Sequence, residues 1–313
     1  MAIGVAAYAY CQPREAGAPS GGPVDRLDDP KAAEKLIIAA AQKVLRQAGL
    51  KSQDLDLVIA HNTGSRFIMP GLGSAVHQGI EAPLEVPAYS LQTGPSSFID
   101  ACYLAKSLME GDDRIQRVLV ATVTAWHTGG WGAGPEGSWP TPQKDGAGAV
   151  IITRQSGKLD FLAYANETWG EVYDACVADF PPAPSGSGNK AEVQATPAYW
   201  AWLAEEAGQA MRRALVAALP QTGAAPSDLA AVISYQPSDH VLAAWKQALA
   251  AVGVGEDRWH VPSSAQGSAW AADMVLTLSQ LAEAGTLKNG ALLALVGPGM
   301  GGHCPVLIAR WRT

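Results

Sequence analysis

The chain has 313 residues, of which 48% are hydrophobic and 16% charged, and a formal net charge of −7. This is the composition of a globular protein with a large core. The acidic balance and the lack of a basic run argue against a nucleic-acid partner. No apolar stretch approaches the roughly 18–20 residues of a membrane span, which argues against a membrane protein. The four cysteines, Cys11, Cys102, Cys176 and Cys304, have neither metal nor disulfide spacing. A cytoplasmic, reduced protein without a cofactor is expected.

The first segment, MAIGVAAYAY, is apolar but lacks a basic start, so it reads as a strand over 2–9 rather than a signal peptide. A Gly/Pro-rich stretch over 11–28 follows, and then a helix over 29–48 with Pro30 at its start. A strand is predicted over 55–61. The segment Pro87 to Thr128 (PAYSLQTGPSSFIDACYLAKSLMEGDDRIQRVLVATVTAWHT) predicts a short strand, a tight turn, a helix over 96–110 and a strand over 118–124. Trp126, Trp131 and Trp139 share one Gly/Pro-rich loop, and three exposed indoles would be costly, so this loop is expected to cover an interface or a pocket. A strand over 147–153 and an exposed Pro/Gly/Ser-rich loop over 180–190 come next. Strands over 230–235, 292–296 and 306–311 surround a helix over 268–284. The helices over 96–110 and 268–284 are apolar nearly all round and should be buried.

The chain also repeats itself. GLKSQDLDLVI from Gly49 and GAAPSDLAAVI from Gly223 share their Gly, Asp-Leu and Val-Ile positions at an offset of 174 residues. The same offset relates Gly111 to Gly285, each ending a helix before an apolar strand. Helices alternating with short strands in two similar halves predict an α/β protein, with domains over 1–156 and 157–313.

The Pro87–Thr128 segment resembles the active-site segment of the β-ketoacyl-ACP synthase III branch of the thiolase superfamily. Two further stretches carry the resemblance. DGAGAV from Asp145 is similar to that family's Asp-Gly-Ala-Gly-Ala signature, and VGPGMGGHCPVLIARW from Val296 to its glycine-rich loop and final strand. The resemblance implies a thiolase-like fold, two duplicated α/β halves in a layered αβαβα arrangement. It also implies that the family's cysteine, histidine and asparagine positions hold Pro95, Tyr235 and Gly267 here. Claisen condensation needs a thiolate and two hydrogen-bond donors to an enolate, which these side chains do not provide. The segment before the first long helix lacks the family's tryptophan, and Arg14 and Arg26 are its only basic residues, so coenzyme A binding in the family's manner is not expected.

Other residues are candidates for a role. Ser96 and Ser97 read most simply as helix capping; a substitute nucleophile at Ser96 is the sharper alternative. His240 and His303 are candidate general bases or structural histidines. By resemblance, Trp126, His127, Gly299, Gly301 and His303 border the pocket. The expected function is that of a degenerate, non-catalytic subunit of a heterodimeric acyl-condensing enzyme in specialised polyketide, fatty acyl or quinolone-like metabolism. The alternatives are an acyltransferase or acyl-processing enzyme in a repurposed pocket, and an acyl or aromatic metabolite-binding protein. The expected partners are a catalytically intact ketosynthase III-like subunit or a second copy, and an acyl carrier protein or acyl-CoA. Strand 118–124 is expected to pair across the dimer axis.

Overall fold

The computed structural model describes residues 2–16, 27, 29–65, 67, 69–125, 143–155, 157–179 and 192–313. Among these, ten strands form one sheet and the order repeats itself. β1 (Gly4–Cys11), β2 (Leu57–Thr63), β3 (Ala88–Ser90), β4 (Arg117–Thr124) and β5 (Gly146–Thr153) lie in the order β3-β2-β4-β5-β1. After β6 (Leu159–Thr168) and a separate ladder of β7 (Cys176–Asp179) and β8 (Glu192–Ala195), the later strands are β9 (Leu229–Ile233), β10 (Trp259–His260), β11 (Leu292–Val296) and β12 (His303–Trp311). These run β10-β9-β11-β12-β6, the same order with β6 in the place of β1. Direction repeats too. β2 is parallel to β3 and β4 as β9 is to β10 and β11, and the remaining neighbours in each set are antiparallel. The two sets meet where Gly4 pairs with Asp160 and Val5 with Leu159. We propose Ser156-Gly157 as the dividing point.

The pattern of burial explains the layers. β2 (LVIAHNT) is buried along its whole length, as a strand covered on both faces must be. Val58, Ala60, Leu119, Ala121, Ala149 and Ile151 pack on one face of the sheet with Leu36, Ile37, Ala40 and Val44 of α1 (Ala32–Ala48). Their alternates Leu57, Ile59, Val118, Val120, Val150 and Ile152 face the other core, with Phe98 and Ile99 of α3 (Ser97–Gly111) and Met274 and Val275 of α6 (Ala271–Ala284). The two helices touch each other, and α3 also reaches β12 and α6 reaches β9, so they lie between the two strand sets. α4 (Pro197–Ala218) covers β6 and β12 and packs on α5 (Asp239–Ala250). The short α2 (Gly73–Gly79) lies beside α1 and β2. Gly148 permits the close approach of α6, because a Cβ there would lie 2.6 Å from Val275.

Several expectations need correction. α1 starts at Ala32, because the Asp29 carboxylate accepts from Lys31 N at 2.7 Å and forms a turn first. α6 starts at Ala271 rather than Ser268, because Gly267 (φ 74°) and Trp270 (φ 51°) take left-handed backbone. α4 has no counterpart among the expected elements, whereas α5 begins at Asp239. The expected dimer strand, β4, lies between β2 and β5 with both edges already paired. The edge strand on that side is β3.

Candidate functional site

The parallel strands β2, β3, β4 and β9, β10, β11 all end toward the N-termini of α3 and α6. Thr124 Oγ1 donates to Ala269 O at 2.9 Å, tying the end of β4 to the segment that opens α6. The turn Gly94–Ser96 before α3 also contacts α6. Strand C-termini facing helix N-termini are where α/β proteins place ligands, since free backbone N–H groups point there. A surface groove of about 490 Å³ lined by Gln47, Arg117, Thr153 and Arg154 lies at the opposite end of β4 and β5. It has no connection with these termini.

Pro95 is buried in the turn that opens α3. Beside it, Ser96 is fully buried, and its hydroxyl lies 3.0 Å from both Thr93 O and Asp100 Oδ2. Asp100 also accepts from Thr93 Oγ1 at 2.6 Å and from Tyr164 Oη at 3.0 Å. Burial, and then the Asp100 charge, push the Tyr164 phenol far up. Ser97 Oγ accepts from Thr93 N at 2.8 Å, a side-chain cap of the same corner.

The glycine-rich loop closes on this corner. A Cβ on Gly299 would lie 2.1 Å from Thr93 O and 2.3 Å from Ser96 Oγ, so only glycine fits. Gly299 N donates to His303 O at 2.7 Å. Gly301 has φ 71°, and His303, half-buried, has Nδ1 3.5 Å from Thr168 Oγ1. Tyr235 is buried, and its hydroxyl donates to Pro298 O at 2.9 Å in the same loop. Its ring meets Trp245 edge-on, with centroids 5.6 Å apart. Burial drives its phenol well above the ordinary range, so it stays protonated.

Gly267 precedes Ser268, whose hydroxyl donates to Asp273 Oδ2 at 2.6 Å while Ala269 N donates to Oδ1 at 2.9 Å. Burial raises the Asp273 carboxyl, opposed by Lys144, whose Nζ stands 4.0 Å away. His240 is exposed at the start of α5. Trp126, His127, Trp131 and Trp139 lie outside the described residues. The loop therefore joins Tyr235, Gly299 and Ser96 to the Pro95 corner; His240 is not drawn in.

All four thiols are buried. Burial pushes Cys11 up to about 11 and Cys176 to about 12, and drives Cys102 and Cys304 higher still. None of them is a thiolate at neutral pH, the form that attacks an acyl group.

Sequence reasoning passed over His61. It is 2% exposed on the inner face of β2, with Nδ1 2.9 Å from Thr122 Oγ1, and burial holds its pKa down to about 3. Two signals were available: a histidine inside an apolar strand, and the 174-residue offset, which carries His61 onto Tyr235.

Residues 219–311 match the family model described as the 3-oxoacyl-[acyl-carrier-protein] synthase III C terminal. A β-ketoacyl-[acyl-carrier-protein] synthase III from Synechocystis is 27% identical over 283 residues, which are 88% of this chain and 82% of that protein. The crystal structure of 3-oxoacyl-(acyl carrier protein) synthase III from Pseudomonas aeruginosa PAO1 superposes with a TM-score of 0.79 at 19% identity, covering 100% of this chain and 99% of that one. The fold is the thiolase-like fold of ketosynthase III. OleA from Xanthomonas campestris, crystallised with lauric acid and lauroyl-CoA, has it too, with a TM-score of 0.77 at 17% identity over 99% of each chain. The sequence relatives cited are β-ketoacyl-[acyl-carrier-protein] synthases III, and the structural neighbours include that enzyme and OleA. Among the described residues no helix is long and apolar enough to cross a membrane.

Proposed function

We propose that this chain holds an acyl thioester in a ketosynthase III pocket without condensing it, as the non-catalytic subunit beside a catalytically intact homologue. The observation that carries this is the Pro95–Tyr235–Gly267 set. Pro95 offers no nucleophilic atom at the start of α3. Tyr235 is already bonded to Pro298 O and has a phenol too basic to ionise at neutral pH. Gly267 has no side chain to donate. Condensation through an acyl-enzyme needs a thiolate and preorganised donors to the enolate oxygen. The buried, protonated cysteines support the same reading.

The edge of β3 supports assembly with a second chain. Tyr89 on this strand is 57% exposed and Leu84 just before it 95% exposed. An unpaired strand edge flanked by exposed apolar side chains is a template for pairing. An acyl carrier protein or acyl-CoA is the source of the acyl group on this reading.

Co-expression with an intact Cys-His-Asn ketosynthase III, followed by native mass spectrometry, tests the assignment. A one-to-one heterodimer that condenses while this chain alone does not supports it. Turnover of malonyl-ACP by the lone chain overturns it.

A further inference from the structure

β2 brings His61 to the place where the two central helices begin. Its ring stands on the same face as Leu57 and Ile59, toward α3 and α6. Next to it, Ala60 O accepts from Leu91 N at 2.9 Å and Asn62 Oδ1 accepts from Gln92 Nε2 at 3.0 Å, so the segment leading to Pro95 runs along one side of the strand. On the other side β4 holds Thr122 against His61 and, two residues on, Thr124 against Ala269 O. The imidazole is therefore bracketed by the approaches to both helix N-termini.

Its hydrogen bonding is incomplete. Nδ1 is 2.9 Å from Thr122 Oγ1, and Nε2 is buried with no partner among the described residues. The two tautomers are not equivalent. If Nδ1–H donated to Thr122, the threonine proton and Nε2 would both be left without a partner. If Thr122 donates to Nδ1, the only group left over is a buried Nε2–H donor. The second arrangement satisfies more groups, and burying an unsatisfied donor is costly. The ring remains neutral, since burial opposes its protonation. Among the described residues Thr63 Oγ1, two positions on in β2, is likewise buried without a partner. Thr63 shares the face of His61, so two buried polar groups on one side of β2 are left for a polar ligand to satisfy.

We infer that His61 Nε2–H is the donor that holds the carbonyl oxygen of the bound acyl thioester, so that the N-terminal repeat supplies the imidazole that the C-terminal repeat lacks at Tyr235. Burial without a countercharge penalises a carboxylate by desolvation, so an uncharged acceptor such as a thioester carbonyl suits this site. This rests on the acyl-thioester reading of the pocket.

Two substitutions separate holding a ligand from holding Thr122. In His61→Asn the amide oxygen sits near Nδ1 and can still accept from Thr122, but the Nε2 donor is gone. In His61→Gln an amide N–H reaches toward the Nε2 position. Binding of lauroyl-CoA is measured by calorimetry on wild type and both variants, with thermal unfolding as the check on folding. Losing one such donor costs about tenfold in affinity. The expected result is roughly a tenfold loss in His61→Asn and near-wild-type affinity in His61→Gln. Equal affinity in wild type and His61→Asn overturns the role of His61 and leaves the acyl-thioester reading standing; no binding of lauroyl-CoA or of lauroyl-ACP by wild type overturns both. Should His61→Asn fail to fold, wild type labelled with 15N-histidine decides: the Nε2–H resonance of the buried ring must shift on saturation with lauroyl-CoA, and an unmoved resonance overturns the assignment.

Discussion

His61 and Tyr235 occupy matching places in the two repeats, 174 residues apart. Each stands seven residues past a turn of the same construction. Asp54 Oδ2 accepts from Lys51 N, and Asp228 Oδ2 accepts from Ala225 N, both at 2.8 Å. Both side chains are buried, yet they differ in how they are satisfied. The Tyr235 hydroxyl is bonded to Pro298 O, whereas His61 keeps one nitrogen without a partner. One ring braces the glycine-rich loop, and the other leaves a buried nitrogen unpaired among the described residues.

The Tyr235 hydroxyl should therefore contribute to stability. Tyr235→Phe leaves Pro298 O without its donor in the core and should lower unfolding stability by about 1 kcal/mol, with an upper bound near 3. Urea unfolding measures this directly. An unchanged midpoint would show that the bond does not form.

Asp100 holds the turn before α3 through Thr93, Ser96 and Tyr164. Asp100→Asn keeps the shape but replaces one accepting oxygen with a donor, which then faces hydroxyls that need an acceptor. A loss of about 1–3 kcal/mol is expected. Asp100→Ala should cost at least as much. If either variant is as stable as wild type, Asp100 does not organise this corner.

The neutral state of His61 makes stability depend on pH. The unfolded chain takes up a proton near pH 6.5, while the folded imidazole resists protonation until about 3. Between these values the unfolded state binds more protons, so stability falls as pH falls, by about 1.4 kcal/mol per pH unit from this residue. His260, also depressed by burial, adds in the same direction. Unfolding midpoints of wild type and His61→Asn between pH 7.5 and 5 isolate the His61 contribution. The variant should show a shallower slope; parallel slopes would mean that His61 takes up its proton as readily in the folded state as in the unfolded one.

Assembly should run through β3. Tyr89→Lys and Leu84→Lys put charge beside β3, the edge strand of the first set among the described residues, and should shift the chain toward monomer in light scattering. The same change in β4 reports only on folding, because Leu119 is fully buried inside the sheet. A dimer unaffected by both β3 substitutions would place the interface elsewhere.

Much of the architecture was legible because it depends on apolar periodicity. α3 and α6 announced themselves as helices apolar nearly all round, the long strands as apolar runs, and Gly111 and Gly285 marked helix ends: α3 ends at Gly111, and Gly285 caps α6 in left-handed backbone. The repeat was visible because its turn needs an Asp at one spacing. The start of α6 was not legible. Gly-Ser-Ala-Trp looks like a helix opening, but the left-handed turn at Trp270 depends on Asp273 gathering Ser268 and Ala269. The position of β4 was misjudged because an apolar, uncharged strand fits an edge at an interface and a centre equally well; only pairing distinguishes them. His61 was missed for a related reason: whether a strand histidine is satisfied depends on a cross-strand partner, Thr122, sixty-one residues away.

The central claim is that this ketosynthase III fold carries no acyl-enzyme chemistry of its own. Intact-mass spectrometry of the purified chain, incubated with lauroyl-CoA and malonyl-ACP, tests it most directly. The account predicts an unchanged mass and no β-ketoacyl product, because Pro95 has no nucleophile, Ser96 is buried against Asp100, and the four thiols are buried and protonated. A stoichiometric acyl adduct on Ser96 or a cysteine, accompanied by condensation product, would contradict it.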